Sequence, residues 1–165
     1  MFDLTKQTAR VDNLNPKPEM HGAEEVKFID IKLKADLSNT ILDSFSPTLR
    51  EALFCAGPQP DMHGHLKHLK HPELGVQHWA GEFRPVVLQI HGSGRSAKDD
   101  MVFRETRLSK IAFEPKEGGT CAFVWNIRVQ PNEADAGRLF GLMHAEVRIT
   151  QDMSAATTHE GDGDE

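Results

Sequence analysis

The sequence predicts a mainly β protein, and three long stretches in the middle of the chain carry that prediction. Residues 83–91, 101–113 and 120–130 each have the pattern of a strand. In the last stretch, apolar side chains occupy every second position from Cys121 to Val129. A period of two is typical of an antiparallel strand with one buried face. The expected architecture is an antiparallel sandwich or open barrel with two short helices, and an α+β sheet is the alternative.

The segments that join and flank these strands support the same fold class. Residues 115–119 read Pro-Lys-Glu-Gly-Gly, a tight-turn sequence in which glycine supplies positive φ. Residues 92–100 form a longer, polar loop. Residues 26–37 alternate again, with apolar side chains at odd positions from Ile29 to Leu37. Short strands are expected near residues 76–81 and 145–149.

Two helices are expected, one early and one late. Ser46 precedes Pro47, which is the arrangement of an N-cap followed by proline at the first helical position. Asn132 is placed to cap a second helix, in which Ala136 and Leu139 recur at helical spacing. Residues 55–75 between these regions are expected to form a long loop.

The two ends of the chain are expected to lie outside the folded domain. Residues 1–25 are polar and contain Pro16 and Pro18, so they are predicted to be a flexible N-terminal arm. Residues 26–151 then form a single β-rich domain. Residues 152–165 are small, polar and acidic, without Lys or Arg, and are predicted to be a disordered acidic tail.

Composition bounds the class of protein. The 165 residues suit one domain. No apolar run approaches the length of about 20 residues that a membrane span needs, and no signal peptide opens the sequence. The two cysteines, Cys55 and Cys121, are far apart and are expected to be reduced thiols. A cytoplasmic protein with no membrane partner is therefore expected.

Charge is unevenly distributed along the chain. The formal net charge is −6, yet between residues 84 and 116 seven basic residues face four acidic ones. A basic groove with stacking aromatics is the pattern of a protein that binds single-stranded nucleic acid. Phe103, Phe113 and Trp79 are the aromatic candidates, although each also fits a core position. The expected nucleic-acid-binding residues are Arg95, Lys98, Arg104, Arg107 and Lys110.

Histidines cluster conspicuously, with six of the nine between residues 63 and 91. In a helical turn, His65 and His68 would share a face and could hold a divalent ion with a third ligand from His78 or His91. The flanking prolines and lysines instead favour a solvated loop that gains charge near pH 6. No metal and no cofactor is therefore expected, and His65 and His68 are the leading metal-ligand candidates.

The loop at residues 92–98 contains glycine, serine and two basic residues. It is not a nucleoside-triphosphate motif, because no glycine directly precedes Lys98 and no hydroxyl residue follows it. Backbone amides together with Arg95 and Lys98 can still form an anion-binding nest at a hairpin tip. A flexible hairpin loop is the other interpretation.

Several segments resemble a group of uncharacterised phage and prophage proteins. They include the run Pro115-Lys116-Glu117-Gly118-Gly119-Thr120. The other matching segments are residues 15–22, 29–37, 49–53 and 131–149. These are turn, cap and core patterns, so the resemblance implies a fold and a phage context. It suggests products of phage regions concerned with DNA replication or recombination.

Three functional hypotheses follow. The first is a non-enzymatic phage-type protein that contacts single-stranded DNA or a partner in DNA replication or recombination. The second is an assembly protein that self-associates through sheet edges, giving a homo-oligomer. The third is a metal-dependent hydrolase using the His-rich loop. An enzyme is not expected, since no nucleophile elbow occurs and neighbouring carboxylates such as Asp99 and Asp100 point to opposite sides of a strand.

Overall fold

The computed structural model describes residues 1–59, 62–92 and 97–160. Strands dominate the described chain. The strands are β1 (Leu4–His21), β2 (Glu24–Ser38), β3 (Phe54–Cys55), β4 (His68–Leu69), β5 (Gln77–Trp79), β6 (Glu82–His91), β7 (Met101–Lys116), β8 (Thr120–Val129), β9 (Glu146–Asp152) and β10 (Thr157–His159). Two of them, β3 and β4, form a short sheet of their own. The helices are α1 (Leu49–Leu53) and α2 (Glu133–Gly141), with 3-10 turns at Asn39–Ser44, Pro72–Leu74 and Ala97–Asp99.

Six of the strands close into an antiparallel barrel. Their order is β6-β9-β1-β2-β8-β7, and β7 returns to pair with β6. β5 continues the line of β6 along the same edge of β7, and β10 continues the line of β9 along β6. The prediction of a mainly β, antiparallel fold is confirmed. The architecture is a closed barrel, so the expected sandwich and open barrel are corrected here.

The barrel closes because the N-terminal segment is a strand. β1 pairs with β9 from Leu4 to Arg10 and with β2 from Arg10 to His21. The expected flexible arm at residues 1–25 is therefore corrected. Pro16 and Pro18 fall beyond the part of β1 that pairs with β9, so one edge of the strand is free there. Proline is tolerated on such an edge, where its missing N–H removes no ladder bond.

The interior of the barrel contains a cluster of aromatic rings. Phe2 is fully buried, and its ring centroid lies 5.0 Å from that of Trp125 and 5.2 Å from that of Phe123. The Trp125 indole N–H donates to Gln151 Oε1 at 3.0 Å, and the Gln151 amide donates to the Phe2 carbonyl at 2.6 Å. The odd positions of β8 from Cys121 to Val129 all face this core, as the alternation predicts.

The C-terminal segment is also more ordered than its composition suggests. β9 runs through Asp152, and Met153 is buried, with its backbone N–H donating to Asp3. Thr157–His159 pair with the start of β6. The expected disordered tail is therefore corrected for residues 152–159. The buried Met153 side chain and the pairing of β10 with β6 hold this part of the chain in place. The last part of that prediction, residues 161–165, lies outside the described residues.

The predicted cap of α2 is confirmed, because Asn132 accepts the backbone N–H of Asp135 at 2.8 Å. The predicted start of α1 at Ser46 and Pro47 is corrected: α1 begins at Leu49, and its N-cap residue Thr48 makes no side-chain capping hydrogen bond. Cys55 and Cys121 are free thiols, and burial raises the pKa of the Cys121 thiol to about 12. Within the described ranges, no helix has the length and apolar character required to span a bilayer.

The β1–β2 hairpin extends beyond the barrel wall. β8 follows β2 only as far as Ile29, whereas β1 and β2 stay paired to each other through His21 and Glu24. We call residues 17–28 the ribbon. Glu19 on the ribbon contacts Arg107 on β7 and Arg128 on β8, so the ribbon lies against the outer face of those strands. This overlap defines one side of the candidate site.

Candidate nucleic-acid interface

The candidate site is centred on a β-bulge in β7. The register between β7 and β8 shifts between Ser109 and Ala112, and Lys110 within it has a φ of +54°. Bulges of this kind re-aim a side chain, and a left-handed backbone costs a non-glycine residue about 1–3 kcal/mol. The Lys110 side chain is exposed and makes no hydrogen bond or ion pair with the described part of the chain. A strained backbone thus presents an uncompensated ammonium group.

Two hollows flank Lys110 on the outer wall of the barrel. The larger, about 710 Å³, lies between the ribbon, β5 and β7 and is also lined by Trp79, Arg84 and Asn126. The smaller, about 260 Å³, crosses β1, β2 and β8. Lys110 and Asn126 line both hollows, so the two are neighbours on the barrel wall. We call them together the groove.

The groove carries an excess of positive charge. Three carboxylates line it, from Glu19, Asp30 and Glu82. The cationic side chains that line it are twice as many, namely Lys17, Lys32, Arg84, Arg107, Lys110 and Arg128. The whole chain has a formal net charge of −6, so the groove has the opposite sign to the molecule. A local patch of this kind attracts polyanions even to an acidic protein.

Two of these arginines are held by carboxylates. Arg128 forms a fork with Asp30, with distances of 2.7 Å from Nε and 3.1 Å from Nη2. Glu19 Oε1 lies 2.6 Å from Arg128 Nη1 and 2.9 Å from Arg107 Nη1. The Arg107 guanidinium also lies over the Phe28 ring, 5.2 Å from its centroid. The two guanidinium groups therefore converge on a single carboxylate.

The protonation equilibria follow from these contacts. Hydrogen bonding to Asp30 raises the pKa of Arg128 above its usual range, so its charge is permanent. Partial burial alone would raise the pKa of Glu19, but hydrogen bonds from His21, Arg128 and Arg107 outweigh it and hold that pKa below its usual value of 4.5. Glu19 is accordingly a carboxylate at neutral pH.

The residues predicted to bind nucleic acid are only partly brought together. Arg107 and Lys110 both line the groove. Arg104 lines a separate hollow of about 380 Å³ on β7. Lys110 is six positions further along the strand, which corresponds to about 20 Å. Lys98 lies in the 3-10 turn before β7, and Arg95 lies outside the described residues.

Of the three aromatic candidates, two are buried and one lines the groove. Phe103 and Phe113 are 7% and 2% exposed, so neither ring is open to a base. Trp79 is half-buried and lines the groove, with its ring edge-on to Phe45 at 5.4 Å between centroids. Trp79 is thus the candidate that can contact a ligand. Its half-buried position agrees with both interpretations of Trp79, a core position and a stacking platform.

The histidine loop does not assemble a metal site in the described part of the chain. His68 Nδ1 lies 2.5 Å from Glu117 Oε1, and Glu117 also accepts the Leu69 N–H at 3.0 Å. These bonds, that from the Leu69 N–H first, hold the pKa of Glu117 below its usual value. His65 is exposed on the same loop. Across residues 1–59, 62–92 and 97–160, no three His, Cys, Asp or Glu side chains gather as metal ligands.

A second polar cluster, which the sequence analysis missed, is built around His91. Its Nδ1 lies 3.2 Å from Asp100 Oδ2, and its Nε2 lies 2.7 Å from Thr150 Oγ1. Asp100 also accepts the Gly92 N–H at 2.8 Å and the Gln89 amide at 2.7 Å. The Gly92 bond, followed by that from Gln89, holds the pKa of Asp100 below its usual value. We call His91, Asp100 and Thr150 the histidine cluster.

The histidine cluster has the order of an acid–histidine–hydroxyl relay, but its polar groups are already used. Both ring nitrogens of His91 contact protein side chains, and Thr150 Oγ1 also accepts the Lys6 N–H at 3.1 Å. The hydroxyl and the imidazole are therefore occupied by structural bonds. In the sequence, His91 and Asp100 are nine positions apart at the two ends of one predicted loop, whereas Thr150 is distant from both.

The fold and the groove together define a closed antiparallel β-barrel with a net-positive outer groove. Comparisons with protein-family models, with curated proteins and with solved structures found no match to this chain. The functional argument therefore depends on the geometry and charge of the groove.

Proposed function

We propose that this protein binds single-stranded nucleic acid in the groove, with Lys110 as the central phosphate contact. The observation that carries the proposal is the bulge in β7. It holds Lys110 in a left-handed conformation, between two hollows, without a partner in the described part of the chain. Strained backbone persists only where the surrounding structure enforces it, and it concentrates at binding sites.

The other groups in the groove favour a nucleic acid over a small anion. Lysine and arginine contact phosphates, while side-chain amides hydrogen-bond to exposed base edges. Asn13, Asn15 and Asn126 supply such amides alongside the cations, and Trp79 supplies an aromatic ring. A small anion would need neither the amides nor two neighbouring hollows.

The concave shape of the groove favours a single strand over a duplex. Unpaired and unstacked bases can enter a groove on a protein and contact its amides and aromatic ring, whereas the bases of a duplex stay stacked and expose only their edges. By analogy of fold alone, other small β-barrels bind oligonucleotides across one outer face with a combination of charge and stacking. The phage context suggested by the sequence resemblance stays a prediction, as does a partner in DNA replication or recombination.

A fluorescence-anisotropy titration with oligo-deoxythymidine and a length-matched duplex tests this proposal. Lys110→Asn removes the charge while keeping a residue that tolerates the left-handed backbone. We expect it to weaken single-strand binding by about tenfold at low salt, the scale of one well-placed charged contact. Lys70→Asn is the matched control, because Lys70 is exposed and lies outside the groove.

Two results would overturn the proposal. One is an absence of single-strand binding by the wild-type protein at low salt. The other is a Lys110→Asn variant that binds as tightly as Lys70→Asn. Tighter binding of the duplex would reject the single-strand part of the proposal alone.

Self-association through sheet edges is the alternative function. Barrel closure restricts it, since each of the six barrel strands has partners on both sides for part of its length. The ribbon still has unpaired edges, and Met20 on it is 65% exposed. Light scattering of the protein alone distinguishes the two functions, because assembly requires no nucleic acid.

A further inference from the structure

We propose that the ribbon is an internal competitor for the groove, in which the Glu19 carboxylate occupies the position of a nucleic-acid phosphate. The inference rests on the proposed function and adds its regulation. Nucleic acid would bind by displacing Glu19 from Arg107 and Arg128, and the ribbon would move away from the outer face of β7 and β8.

The contacts of Glu19 are those of a phosphate. Two guanidinium groups converge on Glu19 Oε1 at 2.9 Å and 2.6 Å, and Arg107 Nη2 lies 3.3 Å from Oε2. Arginine forks match carboxylates and phosphates with the same geometry. A phosphate that replaced Glu19 would therefore find its donors already positioned.

Arg107 depends on Glu19 more than Arg128 does. Arg128 keeps its fork with Asp30 when Glu19 leaves. In the described part of the chain, Arg107 has Glu19 as its carboxylate partner and the Phe28 ring as its other contact. Displacing Glu19 thus releases one full positive charge into the groove, close to Lys110.

The ribbon lacks ladder pairing to the barrel strands in the described part of the chain, so side-chain contacts hold it there, namely the Glu19 ion pairs and the buried Phe28 ring at its base. Its two strands pair with each other and have no pairing with β8 beyond Ile29. Isolated two-stranded ribbons are marginally stable in water, so docking contacts decide their position. The turn at Gly22, with a φ of +68°, lies in open space.

Glu19→Gln tests the inference because it removes the charge with little change in shape. We expect this variant to bind oligo-deoxythymidine about tenfold more tightly at low salt, the reverse of losing one charged contact. The gain should shrink at high salt, since ions screen partly exposed charges. Glu25→Gln is the matched control, because it removes a charge from the same ribbon at an exposed position away from the arginines.

Amide hydrogen exchange supplies the second readout. Exchange across residues 17–28 should accelerate in Glu19→Gln, and in the wild-type protein when oligonucleotide is added. Equal affinities for Glu19→Gln and Glu25→Gln would overturn the inference, as would weaker binding by Glu19→Gln. If Lys110→Asn weakens binding while Glu19→Gln leaves it unchanged, only the ribbon inference fails. If no form of the protein binds, both it and the proposed function fail.

Discussion

Two lysines on the outer wall of this barrel have the same unusual backbone and opposite surroundings. Lys6 and Lys110 have φ values of +45° and +54°, and each lies where a strand register shifts. The Lys6 backbone N–H donates to Thr150, so this strained residue is bonded to the histidine cluster through its backbone. Both lysine side chains are exposed, and that of Lys110 lies between the two hollows of the groove.

The difference separates structural strain from strain that serves binding. In the histidine cluster, the bonds of Lys6, His91 and Asp100 are all directed within the protein, so the bulge in β1 is stabilised by the fold itself. In the groove, the bulge in β7 positions a charge that the fold does not compensate. Polar groups whose bonds are complete hold a structure together, whereas an unpaired cation beside a hollow is available to a ligand.

The largest expected effect concerns the barrel that supports both regions. Trp125→Ala should reduce the free energy of unfolding by about 3–5 kcal/mol, because it leaves a large cavity and removes the donor to Gln151. Urea unfolding followed by circular dichroism measures this loss. A variant as stable as the wild type would mean that Trp125 does not fill the core. The barrel would then not position the histidine cluster and the groove as described.

The next effect divides the two regions directly. His91→Ala should cost about 1–3 kcal/mol of folding stability, because it removes one hydrogen bond from Thr150 and one from Asp100 at a part-buried site. It should leave oligonucleotide affinity unchanged. Lys110→Asn should show the reverse, with lost affinity and unchanged stability. If His91→Ala is fully folded and still binds oligonucleotide more weakly than the wild type, the histidine cluster also contributes to binding and the two regions do not differ in role.

The smallest effect is a pH dependence within the histidine cluster. Hydrogen bonds from Gly92 and then Gln89 hold the pKa of Asp100 below its usual value of 3.8. A carboxyl group whose pKa is lower in the folded state stabilises the protein at pH values above its unfolded-state pKa. That contribution is lost as the pH falls through the folded-state pKa. Urea unfolding from neutral pH to below pH 3.8 measures it. The stability difference between wild type and Asp100→Asn should shrink with acidification, and a constant difference would contradict this assignment.

The fold was predictable where local pattern and burial agree. β2 and β8 were located by alternation, and α2 by its Asn132 cap, because short-range geometry determines both features. β1 was missed because its prolines and polar residues are typical of a loop. Its prolines are tolerated only because they lie where β1 has a partner on one side, which a single sequence does not show. Without β1 the barrel could not be closed from sequence, and the sandwich and open barrel were the natural expectations.

The site was predictable only in part, for a related reason. Arg107 and Lys110 were found from the local excess of basic residues. Glu19 was not, since it lies 88 residues from Arg107 and 109 from Arg128 and meets them only through the folded-back ribbon. Side chains that meet across such distances leave no periodic pattern in a single sequence.

The salt dependence of oligonucleotide binding tests the central claim most directly. Each phosphate contact releases counterions, so removing one lysine contact should reduce the slope of log affinity against log salt by about one. We predict that reduction for Lys110→Asn and an unchanged slope for His91→Ala. Equal slopes for Lys110→Asn and the wild type would contradict the account, because Lys110 would then make no contact with a phosphate.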